Sequence, residues 1–154
     1  KGYDAVVPLL ESPNTEIRMA AAWIISSTLQ NNPKVQKKYF EQVGLQKPIE
    51  ALDKETVEKP AIRLLSLISN AVRGSPELRQ QFYQLNGLQV IENACQKFKP
   101  IYFRFCWLIG AILDEEDDND KNILSENHIK SFLTEHKADI DDDEIFQNVV
   151  NRLT

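Results

Sequence analysis

The chain has 154 residues, 42% of them hydrophobic and 27% charged, with five glycines and seven prolines spread along it. That balance supplies a globular unit with a real core and excludes long disordered linkers. A net charge of −5 opposes nucleic-acid phosphates, and no apolar run reaches the roughly 18 residues a membrane span needs. So neither nucleic acid nor membrane is an expected partner.

The first residue is Lys1, with no leader-like segment behind it, so a fragment of a longer chain is expected. Ser12-Pro13-Asn14-Thr15 offers caps to a long helix that carries Ala20, Ala21, Ala22 and Trp23, and Gln30-Asn31-Asn32-Pro33 stops it. Pro33 suits the first turn of a second helix, where a missing N–H costs nothing. Gly44 suits a turn with positive φ before a third.

The pattern then repeats. Pro33 falls on Pro76, Phe40 on Tyr83, Gly44 on Gly87 and Leu45 on Leu88, all at a spacing of 43. A weaker copy follows at 41, placing Arg63 on Arg104, Leu67 on Leu108 and Ile68 on Ile109. His128 stands where Gly87 stood, so an altered turn is expected there. A truncated fourth copy begins near Lys137. No stretch alternates with period two, so strands are not expected.

Three helices in 41–43 residues is the size of an armadillo-type repeat. The fold expected is all-α, a right-handed superhelical armadillo-like α-solenoid of three to four repeats. Its repeats cover about 3–52, 53–95, 96–136 and a partial 137–154, all within one domain spanning 1–154.

"AAAWIISSTLQ" resembles the last helix of an armadillo repeat, and "SLISNAVRGSPE" its Ser-Asn ending. The segments "EIRMAAAWIISSTLQNNPKVQ", "RQQFYQLNGLQVI" and "KPIYFRF" resemble one branch of that fold, the nucleotide exchange factors of seventy-kilodalton heat-shock chaperones. The resemblance covers about residues 5–135. Ser26 departs from it where a Gly is common, and the third copy carries an acidic insert.

The resemblance implies a monomer whose concave face grips the nucleotide-binding domain of the chaperone and promotes ADP release. It implies no cofactor, no metal and no catalysis. It implies the cytoplasm, or alternatively the lumen of the endoplasmic reticulum. It also matches Arg104 to a basic position that faces the chaperone.

Superposing the long helices puts Ala20, Arg63 and Arg104 in one register. Trp23, Ser66 and Trp107 share the next, and Ser27, Asn70 and Ala111 the one after. Steps of three and four residues keep each set on one helical face, and in a solenoid such faces line the binding surface. Asn31 and Arg73, near the helix ends, complete the candidate partner-binding set. Ile24, Ile25, Leu64, Leu65, Leu67, Ile68, Phe105, Leu108 and Ile109 are expected in the core.

Other chemistry is thin. His128 and His136 lie eight residues apart without a further ligand at zinc spacing. "DEEDDNDKN" and "DIDDDEIFQNVV" lack the Gly and the final carboxylate of a calcium loop, so they are expected to be loops or helix starts. Cys95 and Cys106 have apolar neighbours and are expected to be buried free thiols. The alternative functions are a peptide-groove armadillo adaptor of the nuclear-import or adhesion type and a purely structural scaffold. The groove needs a Trp and an Asn paired within one repeat, and none of the three copies has both.

Overall fold

The computed structural model describes residues 2–154, and none of them lies in a β-strand. Helix α1 (Gly2–Val6) and a 3-10 turn (Val7–Glu11) lead into α2 (Thr15–Leu29), α3 (Pro33–Gln42) and α4 (Gln46–Lys54). The same order recurs as α5 (Glu58–Val72), α6 (Pro76–Gln84) and α7 (Gly87–Lys97). It recurs again as α8 (Pro100–Leu113), α9 (Asp118–Glu126) and α10 (Ile129–Glu135), before α11 (Asp143–Arg152). The chain divides into two compact units, residues 1–97 and 98–154. The all-α class read from the sequence is the one observed.

The expected caps hold. Asn14 accepts the amides of Glu16 and Ile17 at the start of α2. Pro33 and Pro76 occupy the first turns of α3 and α6. Each long helix ends in one left-handed residue, Asn31 (φ 52°), Gly74 (φ 78°) or Glu116 (φ 56°). The side chain that follows, Asn32, Ser75 or Asp117, accepts amides of the next helix. Reversing the chain there takes one residue of positive φ and one cap.

A second left-handed register lies between the later helices of each copy, at Gly44 (φ 76°), Asn86 (φ 58°) and His128 (φ 57°). This corrects two expectations. The turn at His128 keeps the geometry of the others, and in the middle copy Asn86 turns the chain instead of Gly87. Asn and His tolerate this region better than bulkier residues do. Gly87 is required for another reason: a Cβ there would meet the ring of Phe82 and come within 2.7 Å of the Phe82 carbonyl oxygen. The "FYQLNGL" segment is thus a buried Phe, an Asn that turns, and a Gly that makes room for the Phe.

The long helices bury one pattern. Leu64, Leu65, Leu67, Ile68, Ala71 and Val72 are buried on α5, and so are Phe105, Cys106, Leu108, Ile109, Ile112 and Leu113, each 41 residues later on α8. On α2, Ala21, Ala22, Ile25 and Leu29 are buried, 43 residues before the first, second, fourth and sixth of the α5 set. The small Ala21 and Ala22 let α5 approach closely, and α2 with α5 forms the broadest helix–helix contact in residues 1–97. Ile24 breaks the expectation: it is 46% exposed, as is Ile17 at 41%. Its equivalent Leu67 is fully buried, whereas α2, apart from its contact with α5, packs among the described residues against the short 3-10 turn, α1 and α3.

Gly87→Ala is expected to cost about 1–3 kcal/mol in urea unfolding, as overpacking does, although the backbone at Gly87 suits any residue. Glu116→Gly is expected to gain about 0.5–1 kcal/mol in the same assay by relieving a left-handed non-glycine.

Candidate partner-binding site

In residues 1–97 the candidate residues lie on the outward faces of α2 and α5. The bond from Asn70 to Ser26 joins the later halves of both helices, so they run side by side in register. Ala20, Trp23 and Ser27 are exposed on α2, Arg63 is exposed on α5, and Ser66 and Asn70 are half-buried. Trp23 is 56% exposed, which rules out a plug filling a gap between helices. Ser27 and Ser66 donate their hydroxyls to the carbonyls of Trp23 and Ile62, one turn back, so they add little polar reach outward. Asn31 is exposed in its left-handed turn. Arg63 makes no hydrogen bond or ion pair to another described residue.

Asn70 and Arg73 are committed inward. Asn70 Nδ2 donates to Ser26 Oγ at 2.8 Å and to the Ser26 carbonyl at 3.3 Å, while its Oδ1 accepts Arg73 Nη2 at 2.6 Å. Gln36 Nε2, from α3, donates to the carbonyls of Asn70 and Arg73 at 2.9 and 2.8 Å. Arg79, from α6, donates to the Val72 carbonyl at 3.2 Å. The last carbonyls of α5 are therefore satisfied from both neighbouring short helices. Burial draws the Arg73 guanidinium below its ordinary range. Ser26, where the resemblance favours Gly, is the acceptor that Asn70 uses. Gln36 and Arg79 were missed by sequence reasoning. Their spacing of 43 matches the repeat and could have marked them.

Arg18 faces away from this surface, but it is not idle. Its Nε and Nη2 donate to the two carboxylate oxygens of Glu55 at 2.9 and 3.0 Å, with side chains 16% and 3% exposed. Nη1 donates to the Ser12 carbonyl at 2.9 Å. Glu55 also accepts the amides of Thr56 and Val57 just before α5. A forked, part-buried pair of this kind fixes the entry to two long helices, so Arg18→Glu would perturb folding and cannot serve as a neutral control for binding.

In residues 98–154, Arg104, Trp107 and Ala111 follow one another along α8. Arg104 is exposed and makes no bond to another described residue. Trp107 is 42% exposed, and Ala111 is half-buried. The acidic runs are loops and helix starts, as expected. Asp117 caps α9 by accepting the amides of Asn119 and Asp120, and Asp142 caps α11 by accepting that of Ile145. Among the described residues no group of three or more His, Cys, Asp or Glu is placed to hold a metal ion, and no helix is long and apolar enough to cross a membrane. Cys95 and Cys106 are buried and not joined in a disulfide. Burial first, then the charge of Asp142, pushes the Cys106 thiol up to about 11.

Trp23→Ala is expected to lower stability by no more than about 1 kcal/mol, the range of surface changes, whereas Asn70→Ala should cost about 1–3 kcal/mol by orphaning part-buried partners. Thermal melts of both variants test this split. A thiol pushed up to about 11 is almost entirely protonated at pH 8, so Cys106 should react with an aromatic disulfide reagent only on unfolding.

The family model described as "SIL1/FES1/HPBP1 C-terminal domain" matches residues 1–147. The Hsp70 nucleotide exchange factor fes1 of Schizosaccharomyces pombe is 27% identical over 146 residues, covering 86% of this chain and 49% of its own. The nucleotide exchange factor SIL1 of Xenopus laevis is 38% identical over 111 residues, covering 70% and 24%. The Hsp70 nucleotide exchange factor FES1 of Scheffersomyces stipitis is 30% identical over 143 residues, covering 91% and 49%. The chain thus spans half or less of the length of these relatives. Because the match spans residues 1–147, the chain belongs to the SIL1/FES1/HPBP1 C-terminal domain family.

Proposed function

We propose that residues 1–154 act as one domain that binds the nucleotide-binding domain of an Hsp70 chaperone and promotes release of its ADP. Family membership supports this, together with relatives that carry the name Hsp70 nucleotide exchange factor. The observation that carries it on this chain is an aromatic and a free guanidinium one helical turn apart, Arg104 and Trp107 on α8. Trp and Arg are the residues that most often anchor protein interfaces. Ala20, Trp23, Ser27, Asn31, Arg63 and Ser66 offer further contact area, while Asn70 and Arg73 hold the surface in shape from beneath.

The mechanism needs only differential binding. The domain would bind the nucleotide-free chaperone more tightly than the ADP-bound form. By linkage it then lowers the chaperone's affinity for ADP by the same factor. No bond is made or broken in the exchange factor, so the domain acts without being an enzyme, as a monomer and with no cofactor of its own. The peptide-groove alternative calls for an asparagine amide free to hold an extended main chain, and the amide of Asn70 is given to Ser26.

Release of fluorescently labelled ADP from an Hsp70 chaperone, with and without the chain, tests the proposal. Acceleration is expected, and an unchanged rate at saturating chain would end it. Arg104→Glu should weaken the effect at least tenfold, in line with the roughly 2–5 kcal/mol lost when one member of an interfacial charge pair is removed. Lys121→Glu, an equal charge change at an exposed position of α9, is the control and should act like the parent.

A further inference from the structure

Asn86 is the only asparagine in the sequence that precedes a glycine. It is exposed in the turn between α6 and α7, and its side chain makes no hydrogen bond to another described residue. An Asn-Gly pair is chemically fragile. The main-chain nitrogen of Gly87, with no side chain beside it to obstruct, can attack the Asn86 side-chain carbon Cγ. A C–N bond forms to Gly87, the bond from Cγ to the side-chain nitrogen breaks, and that nitrogen leaves as ammonia with the proton given up by Gly87. Water then opens the cyclic imide at either carbonyl. The products are aspartate and isoaspartate, in which the main chain runs through the side-chain carbon.

The folded turn holds the reacting atoms apart. Asn86 has a φ of 58°, in the left-handed region where ψ lies near about +47°. For an L residue that ψ sets the Gly87 nitrogen nearly opposite Cβ, whereas ring closure needs the two eclipsed. Turning ψ that far swings the Asn86 carbonyl away from the Val90 amide, which it accepts at 3.1 Å in the first turn of α7. It also displaces Gly87, which is buried so close to the Phe82 ring that a Cβ would overlap it. In the copies on either side, Leu45 and Ile129 follow the left-handed residue. The fragile pair therefore belongs to the middle copy alone.

We propose that Asn86 is a deamidation site gated by the α6–α7 turn, closed while Gly87 is seated against Phe82 and reactive once the turn opens. The reaction leaves a lasting chemical record of that opening, and it alters what α6 holds. Gln81 Oε1 accepts the Leu45 amide at 2.7 Å, and Arg79 donates to the Val72 carbonyl at 3.2 Å. An isoaspartate lengthens the main chain just beyond α6 and so strains the placement of the helix that makes both bonds.

The chain is incubated in mildly alkaline buffer, folded or in denaturing urea, and the tryptic peptide from Gln80 to Lys97 is followed by mass spectrometry with fragmentation. In urea, conversion of amide to acid is expected at Asn86 before any other asparagine. In the folded chain the same conversion should be at least about tenfold slower, and the ratio of the two rates should match, within about tenfold, the hydrogen-exchange protection of the Val90 amide. Asn86→Gly suits the positive φ, so it should fold like the parent and show no conversion at residue 86. Chain converted in urea and then refolded should melt below the parent. Conversion in urea that begins at another asparagine overturns the site. Equal rates in the folded and unfolded chain, or a ratio outside the range set by Val90, overturn the turn as its gate. A refolded product that melts like the parent overturns the effect on α6.

Discussion

The carbonyls at the C-terminal end of α5 have no partner within their own helix, and satisfying them ties residues 1–97 together. Gln36 reaches them from α3 and Arg79 from α6, while Asn70 crosses to Ser26 on α2. Each bond contributes only about 0.5–1.5 kcal/mol net. Leaving such groups buried without donors would cost more, so the arrangement enforces register more than it adds stability. Apolar packing between α2 and α5 is strong but tolerant of small slips. A carbonyl that must meet one amide is not.

That internal commitment decides which residues remain for a partner. A polar side chain that completes a helix end cannot also leave it to hold another protein without exposing the carbonyls it covers. Asn70 and Arg73 therefore support the outward face of α2 and α5 within residues 1–97, where Trp23 and Arg63 are exposed, while Arg104 and Trp107 are exposed on α8 within residues 98–154. These four combine large contact area with forked donors, and exposure leaves them free to lose water on association, the circumstance in which anchors contribute most. Ile17 and Ile24 extend the apolar area on α2, where the packing that buries Leu67 on α5 has no equivalent.

The acidic residues of the second unit serve two ends. Asp117 and Asp142 sit at helix N-termini, where amides and the helix dipole favour negative charge. Asp114, Asp139 and Asp143 pair with Arg152, Lys99 and Lys137, and the excess of acidic over basic residues leaves this unit net negative. A surface of this kind steers cationic groups toward itself at a distance set by salt.

Much was legible in the sequence because it depends on residues close together in the chain. The Pro at the first turn of α3 and α6, the Asn14 cap, and the register of the long helices follow from local backbone chemistry and a 3.6-residue period. They recur at 43 and 41 residues because each copy meets the same demands. What only the tertiary structure decided concerns which atoms come to lie against one another. Asn86 takes the left-handed turn, while the glycine at 87 makes room for the Phe82 ring. Ile24 is exposed because its cover depends on a neighbouring helix. Asn70 turns inward because Ser26 and Gln36 arrive from other helices, and Arg18 pairs with Glu55 across 37 residues of sequence. Periodicity states which face a residue occupies. It carries no information about which distant atom will stand opposite, and hydrogen bonding, burial and free charge all turn on that atom.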